Sequence, residues 1–440
     1  MNLDGSGPAA VAAARMSANR KTSASSLTFR IVLLIVAWVA AGFYFRTSSQ
    51  AYRALRSAED TTPESLNNAL RLEPSNAEFH YRIGRYSLLA QDLRSAIADF
   101  NAAIALNPYD ARFWLDLANA KLANDDRPAA EQALGRAMEV DPTTPEVVWQ
   151  TANYELVQGN TEVALRRFHD LVEHDPEALL EVMNVCWRGT RDSELIAEKV
   201  LPPRADAHFD LVRFLSSRHE PEAADKVWSH LVAIKLPFSV QSAFPYFDYL
   251  ISRGEFVQAA DAWAQAAIAN PELRPYVPGD DRMVNGGFEL DLLNGGFDWR
   301  YVPKAGISAV IDVNRAHSGK RSLGISFTGT PDDVGVFQFV PVRGNTRYEF
   351  SGYMMAEDLE SVSRPRFSVI GLRGNKSYVL TDGVSNSRDW QQFQDEFTTG
   401  PEDDLLLVRI ARSPSQRLIR GEVWVDDVKL VPKSRIGDLP

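Results

Sequence analysis

Residues 77–110 read AEFHYRIGRYSLLAQDLRSAIADFNAAIALNPYD, and residues 111–144 repeat the pattern as ARFWLDLANAKLANDDRPAAEQALGRAMEVDPTT. Both stretches have a small residue at the eighth place and a proline near the end. This proline recurs every 34 residues along the chain, at Pro74, Pro108, Pro142 and Pro176. A fixed period of this length is typical of a solenoid, in which each helix pair buries its apolar face only against its neighbours.

The second half of each repeat carries the apolar face of one helix. In the first full repeat, Ala96, Phe100 and Ala103 are spaced four and three apart, so they lie on one side of a helix. A proline ends the helix because it cannot donate the next backbone hydrogen bond. Similar positions return in three later segments: residues 145–178, 205–238 and 240–273. The array is therefore predicted to run over residues 50–274.

These positions resemble those of the tetratricopeptide repeat family. The resemblance implies a groove, lined by the first helix of each pair, that holds a segment of a protein partner. The positions that would line this groove hold Tyr81, Arg85, Asn119, Trp149 and Asn153. Asparagine carboxamides can bond a peptide backbone both as donor and as acceptor. The alternative is that these residues lie on a scaffold face and have no ligand.

The N-terminal region predicts a membrane span over residues 27–46. Residues 31–45 read IVLLIVAWVAAGFYF without a charge, and the stretch lengthens if Arg30 snorkels to the interface. A spanning helix needs about 20 apolar residues. The short basic segment 1–26, predicted to be a disordered cytoplasmic tail, favours export of the rest of the chain. A cleaved signal peptide and a buried core helix are the alternatives.

The composition changes after residue 274. A linker is predicted over residues 275–282, which hold two prolines and a glycine. Residues 283–432 then show short alternating apolar segments between turn residues, for example FQFVPV at 337–342. This pattern indicates an antiparallel β-sandwich. The predicted fold class is multidomain α + β, with an N-terminal transmembrane helix, an α-helical repeat solenoid and a C-terminal antiparallel β-sandwich.

Three motifs of the C-terminal region follow one another in a fixed order. NGGFE at 285–289 opens the region, HSGKRSL at 317–323 follows, and VWVDDVKL at 423–430 closes it. In this order they resemble the galactose-binding-like jelly rolls, especially carbohydrate-binding module families four and nine. The resemblance implies a sandwich that can bind polysaccharide.

Sugar binding requires aromatic rings that can stack on a pyranose. The resemblance makes Trp299, Tyr301 and Tyr378 the candidates, and Trp390 is a further one. The alternative is that these rings belong to the core. We expect Trp390 and Trp424 in the core, because both lie in strand patterns.

A structural calcium ion is the one cofactor that the resemblance implies. Glu289 and Asp426 match the places of its ligands, together with backbone oxygens near Lys320. Hard oxygen ligands suit calcium. Asp427 is a rival to Asp426, because adjacent residues of a strand face opposite sides of the sheet. The alternative is that these acids are solvated at strand ends.

Charge and motifs exclude several classes of function. The formal net charge of −11 makes nucleic-acid binding by the whole surface unexpected, because phosphate binding needs clustered Lys and Arg. Cys186 is the single cysteine, so the sequence holds no intrachain disulfide and no multi-cysteine zinc site. The sequence also has no nucleophile elbow and no dinucleotide-binding glycine turn. We therefore expect a protein that is not an enzyme.

The main hypothesis is a scaffold anchored in a bacterial inner membrane, with its body in the periplasm. Its repeats would bind a protein partner and its sandwich glycan, in the assembly or export of a cell-surface polysaccharide. The first alternative is a protein–protein adaptor of an envelope complex whose sandwich is purely structural. The second is an accessory module of a glycoside hydrolase.

Overall fold

The computed structural model describes residues 8–59, 62–331, 333–412 and 417–433, with side chains from residue 29 onward. The chain divides into two compact units, residues 1–171 and 172–440. The helices of the first part of the chain are α1 (Pro8–Ser57), α2 (Pro63–Leu72), α3 (Ala77–Leu89), α4 (Leu93–Leu106), α5 (Ala111–Ala123), α6 (Arg127–Val140), α7 (Pro145–Val157) and α8 (Thr161–His174).

Local sequence signals set the ends of these helices. The Asp92 carboxylate accepts from the backbone N–H of Ser95 at the start of α4, and Asp126 caps α6 in the same way. At the other end of α4, Asn107 is extended, because the residue before a proline is disfavoured in the helical region. The proline period thus marks where each second helix stops.

Small residues let the two helices of a pair approach closely. A Cβ atom at Gly84 on α3 would lie 2.7 Å from the Phe100 ring on α4. Ala96, Phe100 and Ala103 are all fully buried. The predicted apolar face of the second helix is confirmed.

Helix α1 contains the apolar N-terminal stretch. Its segment Phe29–Ser57 is long and apolar enough to cross a membrane, and no part of its most apolar window is buried. A signal sequence near the N-terminus would share these properties. The backbone is helical from Pro8 onward, where the sequence predicts a disordered tail, and the many alanines of this stretch are strong helix formers. Residues 1–7 lie outside the described residues.

The second unit begins with helices and ends in a β-sandwich. Its helices are α9 (Leu179–Thr190), α10 (Ser193–Lys199), α11 (Ala205–Ser217), α12 (Pro221–Ala233), α13 (Val240–Ser252) and α14 (Phe256–Ala269). Two short 3-10 helices occupy Pro176–Ala178 and Pro271–Tyr276.

The sandwich consists of two five-stranded antiparallel sheets, ordered β1-β4-β9-β6-β7 and β2-β3-β10-β5-β8. We call them sheet A and sheet B. The strands are β1 (Arg300–Tyr301), β2 (Ile307–Asp312), β3 (Ser322–Gly329), β4 (Val336–Pro341), β5 (Arg347–Ser361), β6 (Arg366–Gly371), β7 (Lys376–Leu380), β8 (Ser387–Thr398), β9 (Leu405–Ala411) and β10 (Ile419–Pro432). Apolar side chains from both sheets form one core. The predicted fold class is confirmed.

The predicted linker is bonded to the sandwich. Tyr276 donates its hydroxyl to the carbonyl of Asp291 at 2.8 Å. The Asp281 carboxylate accepts from the backbone N–H groups of Met283 and Leu430. Residues 275–282 are therefore hydrogen-bonded both to the beginning of the β region and to its last strand. The predicted domain limits as such stay a prediction.

Candidate binding surfaces

Tyr81, predicted to line the repeat groove, belongs to the core of the first unit. It is 6% exposed, and its ring centroid lies 4.8 Å from that of Phe113. Burial, with the nearby Asp116 carboxylate, raises the pKa of Tyr81 to about 12. The ring therefore packs against other rings, and the phenol stays protonated.

The other predicted groove residues bond to neighbouring parts of the scaffold. Asn119 donates its amide to Gln150 at 3.2 Å, and Asn153 donates to the carbonyl of Trp149 at 2.9 Å. Trp149 is half-buried and packs edge-on against Phe168. Arg85 is 60% exposed and lies 3.6 Å from the Asp116 carboxylate. Of this set, Arg85 offers the most accessible polar group.

Two cavities flank α11 in the second unit. One of about 310 Å³ lies between α11 and α13, where Phe209 and Tyr246 line it. The other, of about 410 Å³, lies between α9 and α11 and is lined by Met183 and Leu180, which is 64% exposed. The sequence missed this surface because residues 179–204 do not follow the repeat pattern.

A charged pair on α11 lies at both cavities. Asp210 and Arg213 line each of them and form a salt bridge with one another. The cavity between α9 and α11 is lined mainly by apolar side chains, whereas Asp206 and Gln241 also line the cavity between α11 and α13. A partner segment that carries both apolar and polar side chains would match this surface.

Trp299, predicted to stack on sugar, is a core residue. It is 1% exposed, and its ring lies 5.2 Å from that of Phe288. Its indole N–H has no hydrogen-bond partner in the described part of the chain. A ring buried between the sheets presents no face to a ligand, which corrects the prediction for this residue.

The two predicted tyrosines are half-buried. Tyr301 donates its hydroxyl to the carbonyl of Ile307 at 2.8 Å. Tyr378 bonds to Asp403 and stacks on Phe397 at 4.9 Å, while Lys376 lies 4.5 Å from its ring centroid. Burial raises the pKa of Tyr378. Both rings are held by the scaffold, and little of either ring is free.

A different set of rings lies on the outer side of sheet B, the side away from the core. His317 stacks on Tyr353 at 3.6 Å, and Trp390 meets His317 edge-on at 5.7 Å. We call these three residues the aromatic cluster. Contrary to expectation, Trp390 is only half-buried. Gln392, two residues further along β8, is exposed and pairs with Tyr353 on β5.

Trp424 is buried on the outer side of sheet B, a position that the strand pattern alone does not predict. Its neighbours Val423 and Val425 are fully buried in the core, so Trp424 points to the outer side of sheet B. It is nevertheless 4% exposed, because the Arg315 guanidinium lies 4.0 Å above its ring. Its indole N–H donates to Asp312 at 2.7 Å. Trp424 is buried, as expected, but under a side chain and not between the sheets.

Glu289 and Asp426, the predicted calcium ligands, hold the same loop. Asp426 is fully buried and accepts from the backbone N–H groups of His317 and Ser318 at 2.7 and 3.1 Å. Glu289 accepts from the N–H groups of Lys320 and Arg321. Burial raises the pKa of Asp426. The two acids therefore fasten loop 317–321 to the start and the end of the β region.

The fit of a calcium ion depends on oxygens beyond these two side chains. One oxygen of Asp426 and one of Asp427 lie 3.8 and 3.9 Å from the Cβ position of Gly287, so acidic oxygens converge there. Among the described residues, no three His, Cys, Asp or Glu side chains form a group that could hold a metal ion. The residues fit a calcium ion only if backbone oxygens supply its remaining ligands.

Comparisons with known proteins agree with this architecture. Residues 281–415 match the family model described as a carbohydrate binding domain, and residues 87–149 match the tetratricopeptide repeat. Tetratricopeptide repeat protein 21A of Mus musculus is 28% identical over 137 residues, which are 31% of this chain and 10% of the mouse protein. The predicted resemblance to both families is confirmed, and this chain spans about a tenth of the curated relative.

Solved structures show weak overall similarity. The CBM22-1 xylan-binding domain of Paenibacillus barcinonensis Xyn10C is 16% identical, covers 34% of this chain and 94% of its own, and has a TM-score of 0.26. The crystal structure of MamA is 15% identical, covers 40% of this chain and 93% of its own, and has a TM-score of 0.29.

Proposed function

We propose that this chain is a non-enzymatic scaffold, anchored in a bacterial inner membrane, that holds a protein partner on its repeats and glycan on its sandwich. The observation that carries the proposal is the union, in one chain, of an apolar N-terminal helix, tetratricopeptide repeats and a carbohydrate binding domain match. We further propose that the body lies in the periplasm and serves the assembly or export of a cell-surface polysaccharide.

The cavities beside α11 support the protein-binding part. Leu180 and Phe214 are apolar, and they lie close to the charged Asp210–Arg213 pair. An apolar recess beside a charged pair suits a short partner segment, because apolar side chains provide affinity and a polar residue fixes the register. Replacing Leu180 by a photo-crosslinking amino acid tests this directly. A crosslinked partner peptide supports the proposal, whereas crosslinking equal to that from the exposed Tyr109 argues against it.

The aromatic cluster supports the glycan-binding part. Half-exposed Trp390 offers a ring for stacking, and the exposed amides of Gln392 and Gln394 can bond sugar hydroxyls. The test is retention of the full chain, in nanodiscs, on an array of bacterial polysaccharides. Retention by the wild type that is lost in Trp390→Ala, but kept in the control Tyr109→Ala, supports glycan binding here.

The array also separates the alternatives. No retention at millimolar sugar would leave the protein–protein adaptor as the better proposal. Release of reducing ends by the purified chain would instead favour the glycoside-hydrolase alternative and refute a non-enzymatic role.

We propose a structural calcium ion as an addition to the sandwich, held by Glu289, Asp426 and backbone oxygens. When bound, the ion would supply a hard cation where Glu289 and Asp426 hold loop 317–321. Calorimetric titration of calcium into chelator-treated protein tests this. Binding that is lost in Asp426→Asn and kept in the control Asp280→Asn is expected, and no binding at millimolar calcium would refute it.

A further inference from the structure

Sheet A carries a row of arginines on its outer side. Arg300 on β1 pairs with Phe337 on β4, Phe337 pairs with Arg409 on β9, and Arg409 pairs with Ser368 on β6. Arg366 lies two residues before Ser368, so it projects from the same side. The residues on either side of Arg409, Val408 and Ile410, are fully buried in the core. Arg409 and Arg366 therefore point away from the core.

The three arginines differ in how their charge is compensated. Arg300 forms a salt bridge with Asp248 at 2.6 Å and donates to the carbonyl of Gly296 at 2.8 Å. Within the described part of the chain, Arg366 and Arg409 have no ion pair. The Nε atom of each is buried and has no hydrogen-bond partner there. Two cations that have no counter-ion among the described residues thus lie on neighbouring strands.

This arrangement is unfavourable without an anion. Diagonal positions on adjacent strands are about 7–8 Å apart, so the two guanidinium groups repel each other. The chain as a whole has a net charge of −11, so such a positive pair is a local exception. A guanidinium presents a planar set of donors that matches a carboxylate. One carboxylate could therefore accept hydrogen bonds from both arginines.

A ring lies beside Arg409, one member of this pair. Phe337, between Arg300 and Arg409, is half-buried and packs edge-on against Phe339 at 5.5 Å. A ring face next to two guanidinium groups is complementary to a pyranose that carries a carboxylate. An acidic peptide would supply the carboxylate but no pyranose ring to lie against Phe337.

We propose that the outer side of sheet A binds uronate residues of an acidic polysaccharide. Arg366 and Arg409 would bind the carboxylate, and Phe337 would contact the sugar ring. This inference rests on the proposed glycan-binding function of the sandwich, and it adds to the aromatic cluster on sheet B a second surface, on sheet A, for one class of glycan.

Calorimetric titration of the full chain, in nanodiscs of neutral lipid, tests the inference. The ligands are polygalacturonate and its methyl ester, which removes the charge and keeps the sugar. We expect the wild type to bind the acid form at least tenfold more tightly than the ester, with weaker binding at higher salt. Arg366→Gln/Arg409→Gln should lose this preference. Arg420→Gln, which removes an exposed arginine from β10 of sheet B, should keep it.

Three results would overturn the inference: equal binding of acid and ester, an unchanged preference in the double variant, or an equal loss in Arg420→Gln. If the double variant does not fold, Arg409→Lys keeps the charge without the planar donor set. It should bind the acid form severalfold more weakly, and unchanged binding would count against the proposal. Binding of neutral glycan alone refutes the uronate inference and leaves the proposed function standing. Binding of no glycan refutes both.

Discussion

Asp298 provides a sharp test of how the second unit is held together. It is fully buried in the turn before β1, where one carboxylate oxygen accepts from the N–H of Leu293 at 2.7 Å. Its other oxygen has no hydrogen bond of normal geometry among the described residues, although the Trp299 N–H and the Asn285 side chain lie near enough to lower the pKa. Burial raises the pKa of Asp298 from 3.8 to about 7. A neutral acid is therefore tolerated at this position far better than a carboxylate.

The sign of the pH effect follows from proton binding. Between pH 3.8 and about 7, the folded chain keeps a proton that the unfolded chain has released. The free energy of unfolding that Asp298 contributes must therefore fall as pH rises through this window. A rise of about three pKa units, at about 1.4 kcal/mol each, corresponds to a loss of roughly 4 kcal/mol, as an order of magnitude.

Asp298→Asn removes the ionisation and keeps an oxygen for the Leu293 N–H. Urea unfolding of wild type and variant at pH 5, 6, 7 and 8 gives the difference in free energy at each pH. This difference should move by about 2–3 kcal/mol in favour of the variant between pH 5 and 8, because part of the effect lies below pH 5. Other acids whose pKa is raised by burial, such as the half-buried Asp281 and the buried Asp426, are common to both proteins, so their effects cancel. Asp280→Asn, at an exposed position, is the control.

Parallel pH profiles for wild type and Asp298→Asn would refute the reasoning. They would mean that Asp298 ionises in the folded chain as readily as in the unfolded one. A shift of equal size in Asp280→Asn would also refute it, because the effect would then belong to general charge and not to burial.

Three further predictions concern other parts of the chain. Gly84→Ala should lower the free energy of unfolding by about 1–3 kcal/mol, because the new Cβ would lie 2.7 Å from the Phe100 ring. Gly135→Ala, where the new Cβ faces open space, should not lower it. Urea unfolding measures both variants. Asp426→Asn should speed tryptic cleavage in loop 317–321 about tenfold or more, because the amide is a weaker acceptor for two backbone N–H groups, and an unchanged rate would contradict the role given to this acid. Burial raises the pKa of Cys186 to about 12, so its thiol should react with Ellman's reagent at pH 8 only after urea is added.

The helical repeats could be predicted because their signal is local and repeated. Each proline stops one helix, and the residues before it lie on one face whatever the rest of the chain does. Ala96 and Phe100 are fully buried for this reason. The alternating apolar segments of residues 283–432 were likewise sufficient to predict an antiparallel β-sandwich.

The binding residues could not be predicted with the same success. Trp299 and Trp390 both flank or occupy strands, yet Trp299 is 1% exposed and Trp390 is half-exposed. Alternation gives two sides of a strand, but it does not say which side a neighbouring loop will cover. Arg315, which covers Trp424, comes from a loop 109 positions earlier in the sequence. Ring exposure therefore depends on contacts that no local pattern encodes.

The junction after the last repeat also depends on contacts between distant residues. These contacts explain the glycines that precede β1. The final helix of a solenoid has an apolar side with no following repeat to cover it, so it needs a cap. Trp263 on α14 meets Phe297, which is fully buried, and a Cβ at Gly296 would overlap the Trp263 ring. The glycines of this turn are needed because two layers meet closely there. The sandwich therefore supplies the cap, and α14 should lose its protection from hydrogen exchange together with β1 and not with the earlier helices.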